Sequence, residues 1–380
     1  MLRSLPRQSL TRAVRHGDPE GAPRAGVAST KRPMNYFLLI LVLQIAAPGP
    51  TEGQLNLETS CDTVQSMALR QSARAALSKN QYEIAAGDFS EALRECPAQT
   101  DIVIELSQAQ AHLRQFDAAI QSLQAYLKQQ PASVPAQLAL ANVYFMGQRL
   151  AEAKREAEGV LGKDPRNLAA MEIAANAEYL LGNVLAAENR FIDLLDRYPD
   201  DENGAYMLGR IYYQEGQIDQ AVGQFERVLK INPRSYKAYD NLGLCYEASG
   251  QGEKAARHFW AAIKLADEQH SNDDWPLGNL AELYLKQGDA QKAFALASKA
   301  ADRNPYSARN FYLGGKALCE LNKSDLCLNW LQRSSALDPN YPEPLFLLAH
   351  VYEKLGDEGK ARESMEKFRK AKARQPSKRR

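Results

Sequence analysis

Residues 199–233 read PDDENGAYMLGRIYYQEGQIDQAVGQFERVLKINP, and this stretch decides the fold. Ala205, Leu208, Gly209 and Tyr212 stand at i, i+3, i+4 and i+7, one stripe of a helix. Gln214 to Gln217 is polar and contains Gly216, which is free to adopt positive φ and so to end that helix. Ile218, Ala221, Val222, Phe225 and Val228 make a second stripe. Pro233 lacks an amide hydrogen and stops the second helix. The stretch is a hairpin of two amphipathic helices.

The hairpin recurs along the chain. Pro97, Pro131, Pro165, Pro199 and Pro233 are 34 residues apart, and after a four-residue insertion near His270–Asp273 the series resumes at Pro305 and Pro339. With each proline set at position 32, position 20 holds Ala85, Ala119, Ala153, Ala187, Ala221, Ala255, Ala293, Cys327 and Ala361. Position 24 is mostly large, with Phe89, Phe191, Phe225 and Phe259 among its occupants. Small residues at positions 8 and 20 let paired helices approach; large ones at 4, 7, 11 and 24 fill the space between units. A lone hairpin gives up about 1–2 kcal/mol of backbone entropy per residue. One apolar stripe, at about 25 cal/mol per Å² buried, does not offset that. Stacking on neighbours buries the second stripe, so the array must be continuous.

The pattern resembles the tetratricopeptide repeat (TPR) family. The sixth unit shows it as Tyr239-x-x-Leu242-Gly243-x-x-Tyr246 followed by Ala255-x-x-x-Phe259. The likeness covers residues 66–375 as nine units starting at 66, 100, 134, 168, 202, 236, 274, 308 and 342. It implies an all-α, right-handed α-α superhelical solenoid whose first helices line a concave groove that grips a peptide or protein. The eighth unit departs from the pattern with Gly314-Gly315 and Cys327, and position 4 is rarely aromatic.

Positions 2, 5, 9 and 12 of each first helix lie beside the core stripe and are expected to face the groove. They are Asn142 and Phe145 in unit three; Glu172, Asn176 and Tyr179 in unit four; Asn203, Tyr206, Arg210 and Tyr213 in unit five; Lys237 and Asp240 in unit six. Unit eight adds Arg309, Tyr312 and Lys316. Asparagine both donates and accepts, so it can hold an extended backbone whatever its side chains. Tyrosine and arginine tend to dominate interface energetics. The bland alternative is that these residues pack one repeat on the next.

Chemistry of other kinds finds little purchase. There is no His-Glu-x-x-His, no Cys-x-x-Cys and no Gly-Lys-Ser/Thr loop. Gly250-Gln-Gly252 lacks the third glycine of a dinucleotide loop, since residue 255 is alanine, and reads as a hairpin turn. His258 and His350 fall in different units with no evident ligand partner, and Asn322-Lys-Ser324 is a single sequon. No catalytic residue, metal ion, cofactor or small-molecule substrate is expected.

The charge is uneven although its sum is +1. Residues 1–33 hold seven basic and two acidic side chains, residues 367–380 eight basic and none acidic, and residues 34–366 a net −12. The acidic body makes nucleic acid an unsuitable main ligand. Residues 1–33 read as a disordered basic extension, with Met34 an alternative initiator. Residues 34–53 contain the apolar run 36–47, which is shorter than the ~20 residues of a bilayer span and suits a secretory signal. Residues 54–65 are a linker, and 376–380 a basic tail. An exported protein, periplasmic or extracellular, is expected. A short uncleaved anchor, giving membrane contact through residues 36–47 alone, and a mitochondrial presequence are the alternatives.

Cys61 and Cys96 flank the first hairpin at ends that antiparallel helices bring together, making them candidates for a disulfide that suits export. Cys319 and Cys327 occupy core-like positions that suit two buried thiols better than a bridge, with Cys245 a third thiol. The whole reads as a non-enzymatic scaffold or adaptor. A substrate-recruiting or regulatory subunit of an enzyme complex, or a membrane-surface binder acting through the basic C-terminus, stands as the alternative.

Overall fold

The computed structural model describes residues 63–97 and 99–374. The readings made on residues 1–62 and 375–380, Cys61 and the apolar run included, lie outside the described residues.

Eighteen helices fill the described chain, and they pair as hairpins. In order they are α1 (Val64–Ser78) with α2 (Tyr82–Glu95), α3 (Thr100–His112) with α4 (Phe116–Gln129), and α5 (Val134–Met146) with α6 (Leu150–Lys163). Then come α7 (Leu168–Leu180) with α8 (Val184–Arg197), α9 (Glu202–Gln214) with α10 (Ile218–Ile231), and α11 (Tyr236–Ala248) with α12 (Gly252–Glu268). The last are α13 (Trp275–Lys286) with α14 (Ala290–Arg303), α15 (Ala308–Glu320) with α16 (Ser324–Leu337), and α17 (Pro342–Lys354) with α18 (Glu358–Arg374).

Each hairpin turns the same way. Its first helix ends on a residue with positive φ, as at Gly216 (φ 78°) and Gln148 (φ 60°). The amide after it reaches back five residues, Gln217 N to Tyr212 O at 2.8 Å and Arg149 N to Tyr144 O at 2.9 Å, which satisfies helix-end carbonyls. First helices open on caps such as Asn167, Asp201 and Ser307, whose side chains accept from the amide three residues on.

The packing follows the small–large alternation. Ala85, Ala119, Ala153, Ala187, Ala221, Ala255, Ala293 and Cys327 are fully buried, as are Phe89, Phe191, Phe225 and Phe259. At Gly243 the α11 backbone runs so close to the Phe259 ring that a Cβ would stand 2.5 Å from it. Each helix packs on the next, and most odd-numbered helices also touch the odd-numbered helix one hairpin away. No pair of even-numbered helices packs to that degree, so among the described residues the odd helices occupy the shorter, inner arc. The result is an all-α, right-handed α-α solenoid of helical hairpins.

One expectation is overturned. Cys319 and Cys327 are not separate thiols but a disulfide, with Cα atoms 5.2 Å apart. Cys319 sits in the last turn of α15 and Cys327 in the first turn of α16, and the tight turn at Asn322 (φ 56°) brings them face to face. Cys245 is a buried free thiol, and burial pushes it up to about 12. Cys96 is buried at the end of α2 and is itself disulfide-bonded.

Candidate peptide-binding wall

The odd helices carry the polar positions singled out above, and the structure divides them into two regimes. In the first, from α11 to α15, most of the groups are spent on one another. Asn279 donates to Asp240 Oδ1 at 2.8 Å and accepts from Arg309 at 3.0 Å. Arg309 also bonds Glu282 at 2.7 Å and lies over the Trp275 ring. Lys286 joins Glu282 to Glu247, at 3.4 and 2.7 Å. Burial works against ionisation of Glu282, yet Arg309 and Lys286 hold its carboxyl below the ordinary range. Asp274, in the loop before α13, accepts from Asn304 and Asn310. Here the polar face is a run of inter-repeat ties. Tyr312 meets Tyr341 edge-on, burial pushes its hydroxyl up to about 12, and Lys316 is half-buried.

The second regime is the pair α7 and α9. These two helices are not among the closely packed odd pairs and are linked instead by long side chains. Asn203 Nδ2 donates to Glu172 Oε1 at 2.8 Å. Asn176 Nδ2 turns back to the Glu172 backbone carbonyl at 2.9 Å. Arg210 stands 5.7 Å from the Tyr179 ring centre and 6.0 Å from that of Tyr206, with Met207 Sδ at 3.8 Å. Among the described residues no carboxylate pairs with Arg210. Tyr206 accepts from Asn241 of α11 at 3.2 Å, which fixes its ring beside the guanidinium. Burial pushes Glu172 up to about 7; the bond from Asn203 opposes this, and the Asp201 charge adds to it.

The remaining positions are scattered. Asn142 and Phe145 are half-buried on α5, where Phe145 packs on the core. Tyr213 is half-buried and Lys237 exposed. Glu172, Tyr179 and Asp240 are more buried than a wet groove wall implies, at 5%, 8% and 4% exposure. Sequence reasoning missed Asn241 and Asn279. Their signal was present: both stand at position 6, which is Ala139, Ile173, Met207, Leu313 and Leu347 in other units.

A separate cleft of about 600 Å³ lies at the C-terminal end, where Lys360, Lys367, Lys370 and Arg374 surround Leu345, Leu348 and Tyr352. Among the described residues no three His, Cys, Asp or Glu side chains gather as for a metal ion. Nor is any helix there long and apolar enough to cross a membrane.

Fold and wall together define a helical-repeat solenoid with a polar and aromatic inner face. Family models of the tetratricopeptide repeat match residues 70–134, 113–172 and 342–372, and one for the TPR repeat matches 209–250. The chain carries tetratricopeptide repeats over these residues. Over 93 residues it is 32% identical to the TPR repeat-containing protein YpiA of Bacillus subtilis, covering 24% of this chain and 21% of that one. The chain thus spans about a fifth of that curated relative. The crystal structure of the APC/C hetero-tetramer Cut9-Hcn1 aligns with a TM-score of 0.57 and 16% identity, over 76% of this chain and 57% of that one. At that identity the likeness speaks to the fold alone. A tetratricopeptide repeat protein from Parabacteroides merdae aligns at a TM-score of 0.46 and 17% identity, over 80% of this chain and 100% of that one.

Proposed function

We propose that the protein is a non-enzymatic interaction scaffold that seats a peptide or protein segment on the inner wall between α7 and α11. One observation carries this reading. Along the wall from α11 to α15, Arg309, Glu282, Lys286 and Glu247 pair with one another, whereas Arg210 is held between Tyr179 and Tyr206 with no counter-charge among the described residues. A half-buried guanidinium braced by aromatic rings is the kind of group that anchors a partner. All nine hairpins count as repeats in this reading. Residues 1–33, 34–53, 54–65, 66–375 and 376–380 serve as extension, signal or anchor, linker, solenoid and tail.

The test is capture of a partner by the chain from residue 54 onward out of an envelope or secreted extract. A discrete partner should be retained by the wild type and weakened by Tyr206→Ala with Arg210→Ala. Equal retention by the double variant places the contact elsewhere.

Export belongs to the same proposal. The Cys319–Cys327 bridge and the bonded Cys96 fit an oxidising compartment. We take Cys61 as the partner of Cys96. The N-terminus of the mature protein, read by mass spectrometry, should fall near residues 48–54; a start at Met1 rejects export. The membrane-surface alternative draws less support. Four cations of α18 are already paired, in Lys360–Asp357, Arg362–Glu358, Lys367–Glu363 and Lys370–Glu366.

A further inference from the structure

Helix α7 carries two carboxylates of equal exposure and opposite circumstance. Glu178 and Glu172 are each 5% exposed. Glu178 has Lys154 at 3.0 Å and Asn183 at 2.7 Å, so its charge is compensated inside the fold. Glu172 has a single neutral donor, Asn203, and the charge that bears on it is the like charge of Asp201. Among the described residues no cation lies within ion-pair distance of it. Its second oxygen, Oε2, has no hydrogen-bond partner among the described residues. A buried carboxylate of this kind favours any cation brought to it, because the interaction forms with little competing water.

Arg210 is its mirror image on the same joint: a guanidinium with aromatic neighbours and, among the described residues, no carboxylate. Asn203, which holds Glu172, precedes Arg210 by seven residues on α9, a rise of about 10 Å between the two backbone positions. An extended polyproline-type peptide places residues i and i+3 on one face, about 9 Å apart.

We infer that the α7–α9 joint is a dipolar subsite that selects an extended peptide carrying a basic side chain for Glu172 and, three residues away, a carboxylate for Arg210. This rests on the reading of the inner wall as a peptide-binding surface and adds the partner's chemistry to it. The two poles fix the direction in which the segment lies, since the reversed peptide sets like charge against like charge. The net −12 of residues 34–366 draws the basic end of such a segment toward the wall.

The experiment is selection of random twelve-residue peptides displayed against the full-length protein, run in parallel on Glu172→Gln and Arg210→Gln. A glutamine in place of Glu172 still accepts from Asn203, and Arg210 is only half-buried, so both variants should fold; circular dichroism and a thermal melt check this. The wild type should enrich a basic and an acidic residue three positions apart. Glu172→Gln should lose the basic preference alone and Arg210→Gln the acidic one alone. A synthetic peptide of the wild-type consensus should bind each variant about tenfold or more weaker, as expected when one member of a desolvated charge pair is removed. Enrichment of the same motif on all three proteins, or of a motif without the paired charges, overturns this inference and leaves the peptide-binding wall standing. Failure to enrich any peptide on the wild type overturns both.

Discussion

Replacing Glu172 by glutamine should stabilise the protein at high pH and change little at low pH. The carboxyl is pushed up to about 7 from an ordinary 4.5, chiefly by burial. The folded chain therefore holds this proton between pH 4.5 and 7, where the unfolded chain has released it. Stability contributed by the proton is complete below the lower value and is lost as pH rises through the upper one. A difference of that size corresponds to about 3 kcal/mol at full ionisation. The substituted amide would keep the 2.8 Å bond from Asn203 without the charge, so the variant escapes the loss. Urea unfolding at pH 4.5 and pH 8.5 measures the effect as the difference between variant and wild type, which cancels the other titrating groups. The difference should be small at pH 4.5 and approach about 3 kcal/mol in favour of the variant at pH 8.5. Repeat arrays unfold in parts, so hydrogen exchange of the α7 and α9 amides gives a local reading of the same quantity. Parallel pH dependence in wild type and variant would refute the claim that Glu172 is an uncompensated buried charge.

Other substitutions test the packing. Gly243→Ala sets a methyl 2.5 Å from the buried Phe259 ring and should cost about 1–3 kcal/mol, read from the denaturation midpoint. Gln148→Gly relieves a positive φ of 60° and should gain up to about 1 kcal/mol, against a loss for the same change at a mid-helix site. Cys319→Ser opens a bridge spanning eight positions and should lower stability by about 2 kcal/mol, with non-reducing peptide mapping of the wild type showing Cys319 joined to Cys327.

Legibility in the sequence followed how local each contact is. A hairpin is built from residues within one 34-residue unit, so the proline rhythm, the alanines at position 20 and the polar turns revealed the fold class before any coordinates. Gly216 marked one hairpin turn, but Asn80, Arg114, Gln148 and Asn322 take the same backbone conformation without being glycine. There the hairpin geometry overrides the residue's own preference. The inner wall was legible as a set of positions and not as a set of partners. Asn203 meets Glu172 across 31 residues, Asn241 meets Tyr206 across 35, and Asn279 meets Asp240 across 39.

The amino-acid sequence alone determined that helical hairpins of equal size stack, because helix period, turn residues and the small–large alternation act within a unit and its neighbour. The stacking geometry alone decided which polar groups neutralise one another. Whether a side chain at position 5 or 9 reaches the next repeat depends on how far adjacent inner helices stand apart, and that spacing is a sum over many packed side chains. The same geometry joined Cys319 to Cys327 and left Glu172 and Arg210 without counter-charges among the described residues, since a tight turn and the spacing of neighbouring helices are properties of the assembled backbone rather than of any residue in it.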